Sequence, residues 1–446
     1  MVERIILSLV LLIASLPLNA QTRQKEPCGT VDYLENLEEL YPGLNQHLDE
    51  LYQESIENTK HKMLHKTPPI DTVFDIPVVF HIVWNNILEN IHDSLIISQV
   101  DALNDAFNRE NDDTVNTREI FKPVAGNARI RFHLATEDPD GNPSNGITRT
   151  KTTRTTFYNG TQTLSSDFVK KTADDGKDAW DTYEYLNVWV CDLSNRGFPS
   201  LLGYAFPPTN ASRWDGSNAF VGSERQGVVV HYSTVGRNNP RWLGGGLNTA
   251  EKTAVHEVGH YLGLRHIWGD PRFGQNGCDV DDFIDDTPPS RSSSATAGCS
   301  SGKNTCLTAN DLPDMLENYM DYSDKECSNM FTKQQVEAMR YNLYNLRKDL
   351  GEKTFIQPPH ANLDVTTVFP NPTSGAIRIF IKDPEDEEYL DIELIDMLGR
   401  TVLELNVVSD YELTLQTGSI AAGNYRIKIA SDKRGLLYKR MIFKYD

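Results

Sequence analysis

His256-Glu257-Val258-Gly259-His260-Tyr261-Leu262-Gly263-Leu264-Arg265-His266 is the stretch on which the reading of this chain turns. It spells H-E-x-x-H-x-x-G-x-x-H, three imidazoles and one carboxylate at fixed spacing. On a helix, His256 and His260 stand one turn apart on the same face, so both rings reach a single ion. Glu257 is rotated by one position, beside the metal rather than on it, where it can take a proton from water. Gly263 admits positive φ, so the chain can leave the helix and return His266 as a third ligand. Three protein ligands leave one position of a tetrahedral zinc for water, the mark of a catalytic rather than a structural site.

The flanks support a helix: Asn248 followed by Glu251 reads as a capping box, and Thr253 to Leu262 continues up to Gly263. Downstream stands Glu317-Asn318-Tyr319-Met320-Asp321-Tyr322. The long zinc motif, this N-Y-M-D-Y turn and four nearby cysteines together resemble the pappalysin family, cytophagalysin-like metalloproteases of the metzincin type. The resemblance covers roughly residues 70–350. It implies an α/β zincin catalytic unit: a mixed sheet with the zinc helix above an irregular lower subdomain, around a horizontal cleft. It also implies that Met320 supports the histidines from below, and that the Tyr322 phenol donates to the oxyanion of the tetrahedral intermediate.

Length and charge set the wider frame. A chain of 446 residues is too long for one ordinary domain. A net charge of −20 argues against nucleic acid or an anionic membrane as partner. Residues 1–20 read as a signal peptide: Arg4, the apolar run Ile5 to Leu16, and a cleavage site at Leu18-Asn19-Ala20. The run is too short for a comfortable membrane span, and no other segment is a candidate, so export is expected.

Export permits disulfides, and the six cysteines fall unevenly. Cys278, Cys299, Cys306 and Cys327 lie between the zinc helix and the end of the methionine turn; spacing alone leaves their three pairings, and a four-thiolate zinc, open. The pappalysin resemblance implies Cys278–Cys306 and Cys299–Cys327. Cys191, in the alternating strand Leu186 to Cys191, reads as a buried free thiol. Cys28 stands alone before the catalytic region. A thiolate is a strong zinc ligand, so Cys28 is expected to close the fourth zinc position in a latent precursor. A Cys28–Cys191 bond or an idle thiol are the alternatives.

Residues 21–70 read as a pro-segment, helix-prone from Tyr33 to Asn58, and residues 71–352 as the catalytic unit. Ile76 to Trp84 reads as a buried strand, and Ile96, Val100, Leu103 and Phe107 recur at helical spacing. Ile130, Phe132 and Leu134 alternate with polar residues as a half-exposed strand, and Gly227 to Tyr232 reads as another. Leu201 to Ala205 reads either as an interior strand or as the edge strand to which a peptide adds antiparallel. His81, His133 and His231 read as packing or surface residues. Asp281, Asp282, Asp285 and Asp286 crowd one segment; a calcium ion or a solvated loop would relieve their repulsion, and similar segments in pappalysin-type enzymes are associated with calcium. The loop Ser323-Asp324-Lys325-Glu326 is expected to border the S1′ pocket. Some relatives carry an acid where Lys325 stands, which puts a basic S1′ preference in doubt.

After a linker at residues 353–362, residues 363–446 change texture into short strands with turn residues, predicting a small all-β sandwich. Val368-Phe369-Pro370-Asn371-Pro372-Thr373-Ser374-Gly375, the turn Asp396-Met397-Leu398-Gly399-Arg400 and Gly423-Asn424-Tyr425 resemble the C-terminal sorting domain of type IX secretion, which implies that machinery as a partner. A substrate-binding or adhesive β-module is the alternative. The combined expectation is a zinc metalloendopeptidase acting on proteins or peptides, exported through the periplasm to the surface or beyond. An exported zinc-bearing adhesion or binding protein without peptidase activity is the competing reading, and the intact Glu257 argues against it.

Overall fold

The structure, a computed structural model, describes residues 28–60, 68, 72–158, 167–195, 198–199, 201–209, 225–242, 250–271, 275–292, 299, 302–307, 312–323, 326–347, 350, 365–369, 373, 375–381, 388–396, 400–408, 412–433 and 435–444. The expected signal peptide and the linker at 353–362 lie outside these, as do Asn248, Asp324 and Lys325. Among the described residues, no helix is long and apolar enough to cross a membrane.

The chain enters as two helices where one helix-prone zone was expected, α1 (Thr30–Leu40) and α2 (Leu44–Lys60). Pro42-Gly43 separates them: Gly43 has a φ of 94°, and the Glu38 carboxylate accepts from the backbone N of Gly43 and Asn45 at 2.8 and 2.7 Å.

A central sheet follows, built around β1 (Phe74–Trp84). Helix α3 (Asp93–Asn108) carries the chain to β2 (Ile130–Leu134), which lies parallel to the first half of β1. Strand β3 (Ile147–Lys151) continues along the second half of β1, also parallel. Parallel neighbours need such crossovers, and the sequence pattern of β3 was too polar to betray it. Asn104 on α3 locks the crossover, accepting from Phe132 N at 2.8 Å and donating to Phe132 O at 2.9 Å.

On the other side of β1 lies β4 (Leu186–Cys191), buried along its whole length. After the short hairpin β5 (Ser194–Asn195) and β6 (Phe198–Pro199), strand β7 (Gly203–Ala205) pairs antiparallel with β8 (Val228–His231), itself parallel to β4. The order β2-β1-β4-β8-β7 makes β7 the edge, the second of its two sequence readings, though shorter than Leu201 to Ala205.

Continuous burial of β4 follows from coverage on both faces. Val188, Val190, Val228 and Val230 join the main core with α3 and helix α4 (Lys252–Tyr261). Trp189, Cys191 and Val229 face the other way, under Tyr33 and Leu37 of α1. His81, His133 and His231 are structural: His81 bonds Thr148 and Asn187, and burial pushes its pKa down to about 4. His133 contacts Asp75, and His231 contacts Ser194 and Ser233.

Below α4 the described residues are irregular except for α5 (Gly277–Val280) and α6 (Lys333–Asn345). Cys278 is bonded to Cys306 and Cys299 to Cys327, while Cys28 and Cys191 are free and buried. Helix α6 starts in a capping box of Thr332 and Gln335.

The C-terminal unit is all-β. Strands β9 (Val365–Phe369), β10 (Ala376–Ile381), β11 (Tyr389–Asp396), β12 (Thr401–Val408), β13 (Glu412–Gln416), β14 (Gly423–Ser431) and β15 (Gly435–Lys444) form two antiparallel sheets. Their orders are β13-β10-β9 and β12-β11-β14-β15. Ile377, Ile379 and Leu415 of one sheet share a core with Leu390, Ile392, Ile427 and Ile429 of the other, which makes the unit a sandwich.

Candidate metal centre

Helix α4 begins at Lys252, with Glu251 in helical conformation before it and no side-chain cap. Tertiary contacts hold this end of the helix: Gln99 Nε2 donates to Glu251 O at 3.0 Å, and Lys252 Nζ reaches Asp113 at 2.5 Å and Ser328 O at 2.7 Å. The helix ends as predicted, with Gly263 at a φ of 96° and Leu264 N donating to Gly259 O at 3.0 Å. This turn sends the chain back to deliver His266.

The three rings converge. The Nε2 atoms of His256, His260 and His266 lie 3.1, 3.1 and 3.3 Å apart, close to the ~3.3 Å expected of nitrogens ~2.0 Å from one tetrahedral zinc. Each ring uses its other nitrogen on an acceptor. His256 Nδ1 donates to Tyr319 O at 2.6 Å, His260 Nδ1 to Leu264 O at 2.8 Å, and His266 Nδ1 to the Asp270 carboxylate. With protons held on Nδ1, all three Nε2 lone pairs face the shared point. Trp268 stacks on the His266 ring at 4.3 Å and 6°, fixing its plane. Asp270 and Trp268 were not singled out from the sequence, although Asp270 stands only four residues beyond His266.

Met320 lies beneath α4. A Cβ added to Gly259 would stand 2.5 Å from Met320 Sδ, so the helix approaches the sulfur through a missing side chain. The turn is pinned by Asn318 Oδ1, which accepts from Met320 N at 2.9 Å, and by a two-pronged Arg118–Glu317 pair at 2.6 and 2.8 Å. Tyr322, two residues on, packs its ring 4.7 Å from that of His266 and 5.6 Å from that of His256.

Cys28 Sγ completes the cluster: its sulfur and one nitrogen from each histidine all lie within 4.8 Å of one another, and all four residues are buried. The sulfur is 3.3 Å from Glu257 Oε2, to which Thr30 Oγ1 donates at 3.3 Å, and Tyr322 OH donates to Cys28 O at 3.3 Å. Burial, then the neighbouring Glu257 carboxylate, pushes the Cys28 thiol well above its ordinary range. A cation among these ligands would reverse that, because a coordinating thiol is deprotonated. Cys28 forms a parallel bridge with Gly203, whose missing Cβ makes room for Glu257: an added Cβ would lie 2.7 Å from Glu257 Cγ.

The acidic segment behaves otherwise. Asp285 pairs with Lys60 at 2.6 Å, Asp282 accepts from Thr287 Oγ1 at 2.7 Å, Asp286 from Gln334 N at 3.0 Å, and Asp281 from Asp282 N at 2.7 Å. Among the described residues these four carboxylates do not converge as a four-membered cage. Instead the buried Asp282 Oδ2 and Asp286 Oδ1 stand without a hydrogen-bond partner, and burial pushes the Asp282 carboxyl well up.

Comparison with known proteins agrees with this geometry. The peptidase M43 profile, described as pregnancy-associated plasma protein-A, matches residues 237–344. The profile of a secretion system C-terminal sorting domain matches residues 367–444, and the protein is accordingly secreted or displayed at the cell surface. Extracellular metalloprotease 1 of Coccidioides posadasii is 40% identical over 160 residues, 35% of this chain and 49% of its own length. An extracellular metalloprotease of Verticillium alfalfae is 34% identical over 220 residues, 49% of this chain and 70% of its own. The chain thus spans about half the length of the first of these fungal relatives. Among solved structures, a point mutant of Tannerella forsythia promirolysin shares 35% identity at a TM-score of 0.60, over 74% of this chain and 98% of its own. Mature mirolysin with a cleaved peptide shares 39% at a TM-score of 0.54, over 64% of this chain and 98% of its own. With its histidine cluster, methionine turn and C-terminal sorting domain, the chain belongs to the pappalysin family of metallopeptidases.

Proposed function

We propose that this protein is a zinc-dependent metalloendopeptidase made as a latent precursor. The observation that carries the reading is the convergence of three Nε2 atoms within 3.3 Å, each backed by its own acceptor, with Glu257 alongside. His256, His260 and His266 would hold the zinc, which when bound polarises the scissile carbonyl and sharpens water as a nucleophile. Glu257 accepts the proton of the attacking water and returns it to the leaving amine. Tyr322, whose hydroxyl meets the pro-segment backbone in the cleft, donates to the oxyanion. Met320 supports α4 from below. A peptide substrate adds to the edge strand β7, where main-chain bonds favour proteins over small molecules.

Latency rests on Cys28: its sulfur, within 4.8 Å of the three histidine nitrogens, supports a thiolate taking the place of the water, and Thr30, two residues on, also engages Glu257. Residues 21–70 act as the pro-segment, 71–352 as the peptidase, and 363–446 as the type IX sorting unit. Helix α2 ties down the acidic segment through Tyr52 OH, which donates to Asp282 O at 2.5 Å, and through Lys60. The unpartnered oxygens of Asp282 and Asp286 support a calcium ion there, bound by fewer carboxylates than the sequence suggests and completed by backbone oxygens. Casein cleavage by the activated wild type, beside Glu257→Ala with zinc measured in both, tests the peptidase reading. The variant should keep its zinc and lose activity by at least about 10³-fold; equal cleavage would reject the mechanism.

A further inference from the structure

The pro-segment leaves the cleft over the edge strand. Gly29 N donates to Gly203 O at 2.8 Å and Ala205 N to Thr30 Oγ1 at 3.0 Å, after which α1 crosses onto the sheet face opposite α4. There Tyr33, fully buried, fills a built pocket. Its ring centre lies 5.1 Å from that of Tyr204 and 6.0 Å from that of Phe206, and its hydroxyl donates to Asp167 Oδ2 at 2.5 Å. The buried Asp167 also accepts from Arg225 at 2.6 Å and lies 3.2 Å from Lys170 Nζ. That ammonium sits 5.3 Å from the Tyr33 ring centre, 5.2 Å from Tyr204 and 5.3 Å from Trp189, and donates to Arg225 O at 2.7 Å. Tyr33 alone of these belongs to the pro-segment.

The pocket's place on the sheet relates it to the cleft. Side chains alternate along a strand, so Gly203 abuts Glu257 while Tyr204 faces the opposite side of the sheet. A substrate strand added to β7 would set the residue opposite Tyr204 on that same side, within about 5.5 Å between Cβ atoms, in the space Tyr33 now takes. An antiparallel substrate runs against β7, so its amino-terminal half lies toward Ala205 and Phe206. Among the described residues the pocket holds two cations against one carboxylate, which disfavours a basic side chain, whereas a neutral ring with a donor at its tip satisfies it.

We propose that Asp167, Lys170, Tyr204 and Arg225 form a substrate subsite that selects tyrosine on the amino-terminal side of the scissile bond, and that Tyr33 occupies this subsite in the latent chain. The inference rests on the peptidase reading above. A site built to bond a hydroxyl discriminates against the ring that lacks it, because one accepting position of the buried Asp167 carboxylate, which Arg225, Lys170 and Tyr204 share, then goes unfilled.

The test uses full-length protein activated by removal of its pro-segment, with peptides in which Tyr, Phe, Leu or Lys is walked through the four positions before the cleaved bond. At one position Tyr should exceed Phe by about ten-fold in kcat/KM, with Lys poorest, and the Tyr-to-Phe ratio should fall to about one in Asp167→Asn. A merely structural role for Asp167 would lower both rates together and leave the ratio intact, overturning the proposal. A wild-type ratio near one at every position also overturns it, without needing the variant to fold. Failure of the activated wild type to cut any peptide would instead refute the peptidase reading.

Discussion

In the histidine run, residues 256, 260 and 266 bring three Nε2 atoms within 3.3 Å of one another; in the acidic run, Asp281, Asp282, Asp285 and Asp286 each turn to a separate partner. Both runs are dense in groups that bind metals. The difference is local geometry. A helix of 3.6 residues per turn fixes the first two rings on one face, and a positive-φ glycine fixes the return of the third. The acidic run has only the four-residue helix α5 before it and positive φ at Asp281 and Phe283, so no period aligns its side chains. Ligand-rich composition brings all of its groups to one point only where the backbone imposes a spacing.

Four outcomes would break or sharpen this contrast. Tyr322→Phe removes one donor beside the histidines and should lower turnover roughly 10²-fold with zinc content unchanged; unchanged turnover would remove Tyr322 from the machinery. Asp270→Asn tests whether the acceptor behind His266 matters, and competition with a chromogenic chelator should show zinc held some 10–100-fold more weakly. Wild-type affinity in that variant would mean that the helix period and the glycine turn suffice by themselves. Cys28→Ala opens the fourth position, so the full-length precursor should lose latency and process itself sooner on a timed gel; an unchanged time course would reject the thiolate block. For the acidic run, a calcium-selective chelator at saturating zinc should lower the thermal midpoint by roughly 5 °C, as expected for a site well above its Kd, and Asp282→Asn should abolish that shift. No shift in the wild type would leave the acidic run as a hydrogen-bonded latch for α2.

Much of the site was legible because its determinants are close in sequence. The ligand spacing, Glu257 and the Gly263 turn lie within eleven consecutive residues. Strands β1, β2, β4 and β8 were legible from apolar runs or alternation, and α3 from its period. Other features depend on residues far apart. Gly259 reads as a filler between motif positions until Met320 lies under it, and Gly203 until Glu257 and Cys28 flank it. The capping box Thr332 to Gln335 was a readable signal for α6 that the methionine turn overshadowed. Strand β3, with Thr148, Arg149 and Thr150 at its centre, has no pattern of its own and is a strand because β1 offers it a partner.

The sequence by itself set out the candidate chemistry: which groups are proposed to bind zinc, which carboxylate is proposed to take a proton, and that an exported chain carries a sorting unit. These follow from residue type and spacing, which a helix or a turn converts into position without outside help. Tertiary structure decided the state of that chemistry. It set Cys28 among the histidines across more than two hundred intervening residues, laid Cys28 and Gly29 against Gly203 of β7, and sank Tyr33 into a pocket of Asp167, Lys170, Tyr204 and Arg225. Such contacts arise from the closure of a sheet edge and the burial of apolar faces, which join residues that no local period relates.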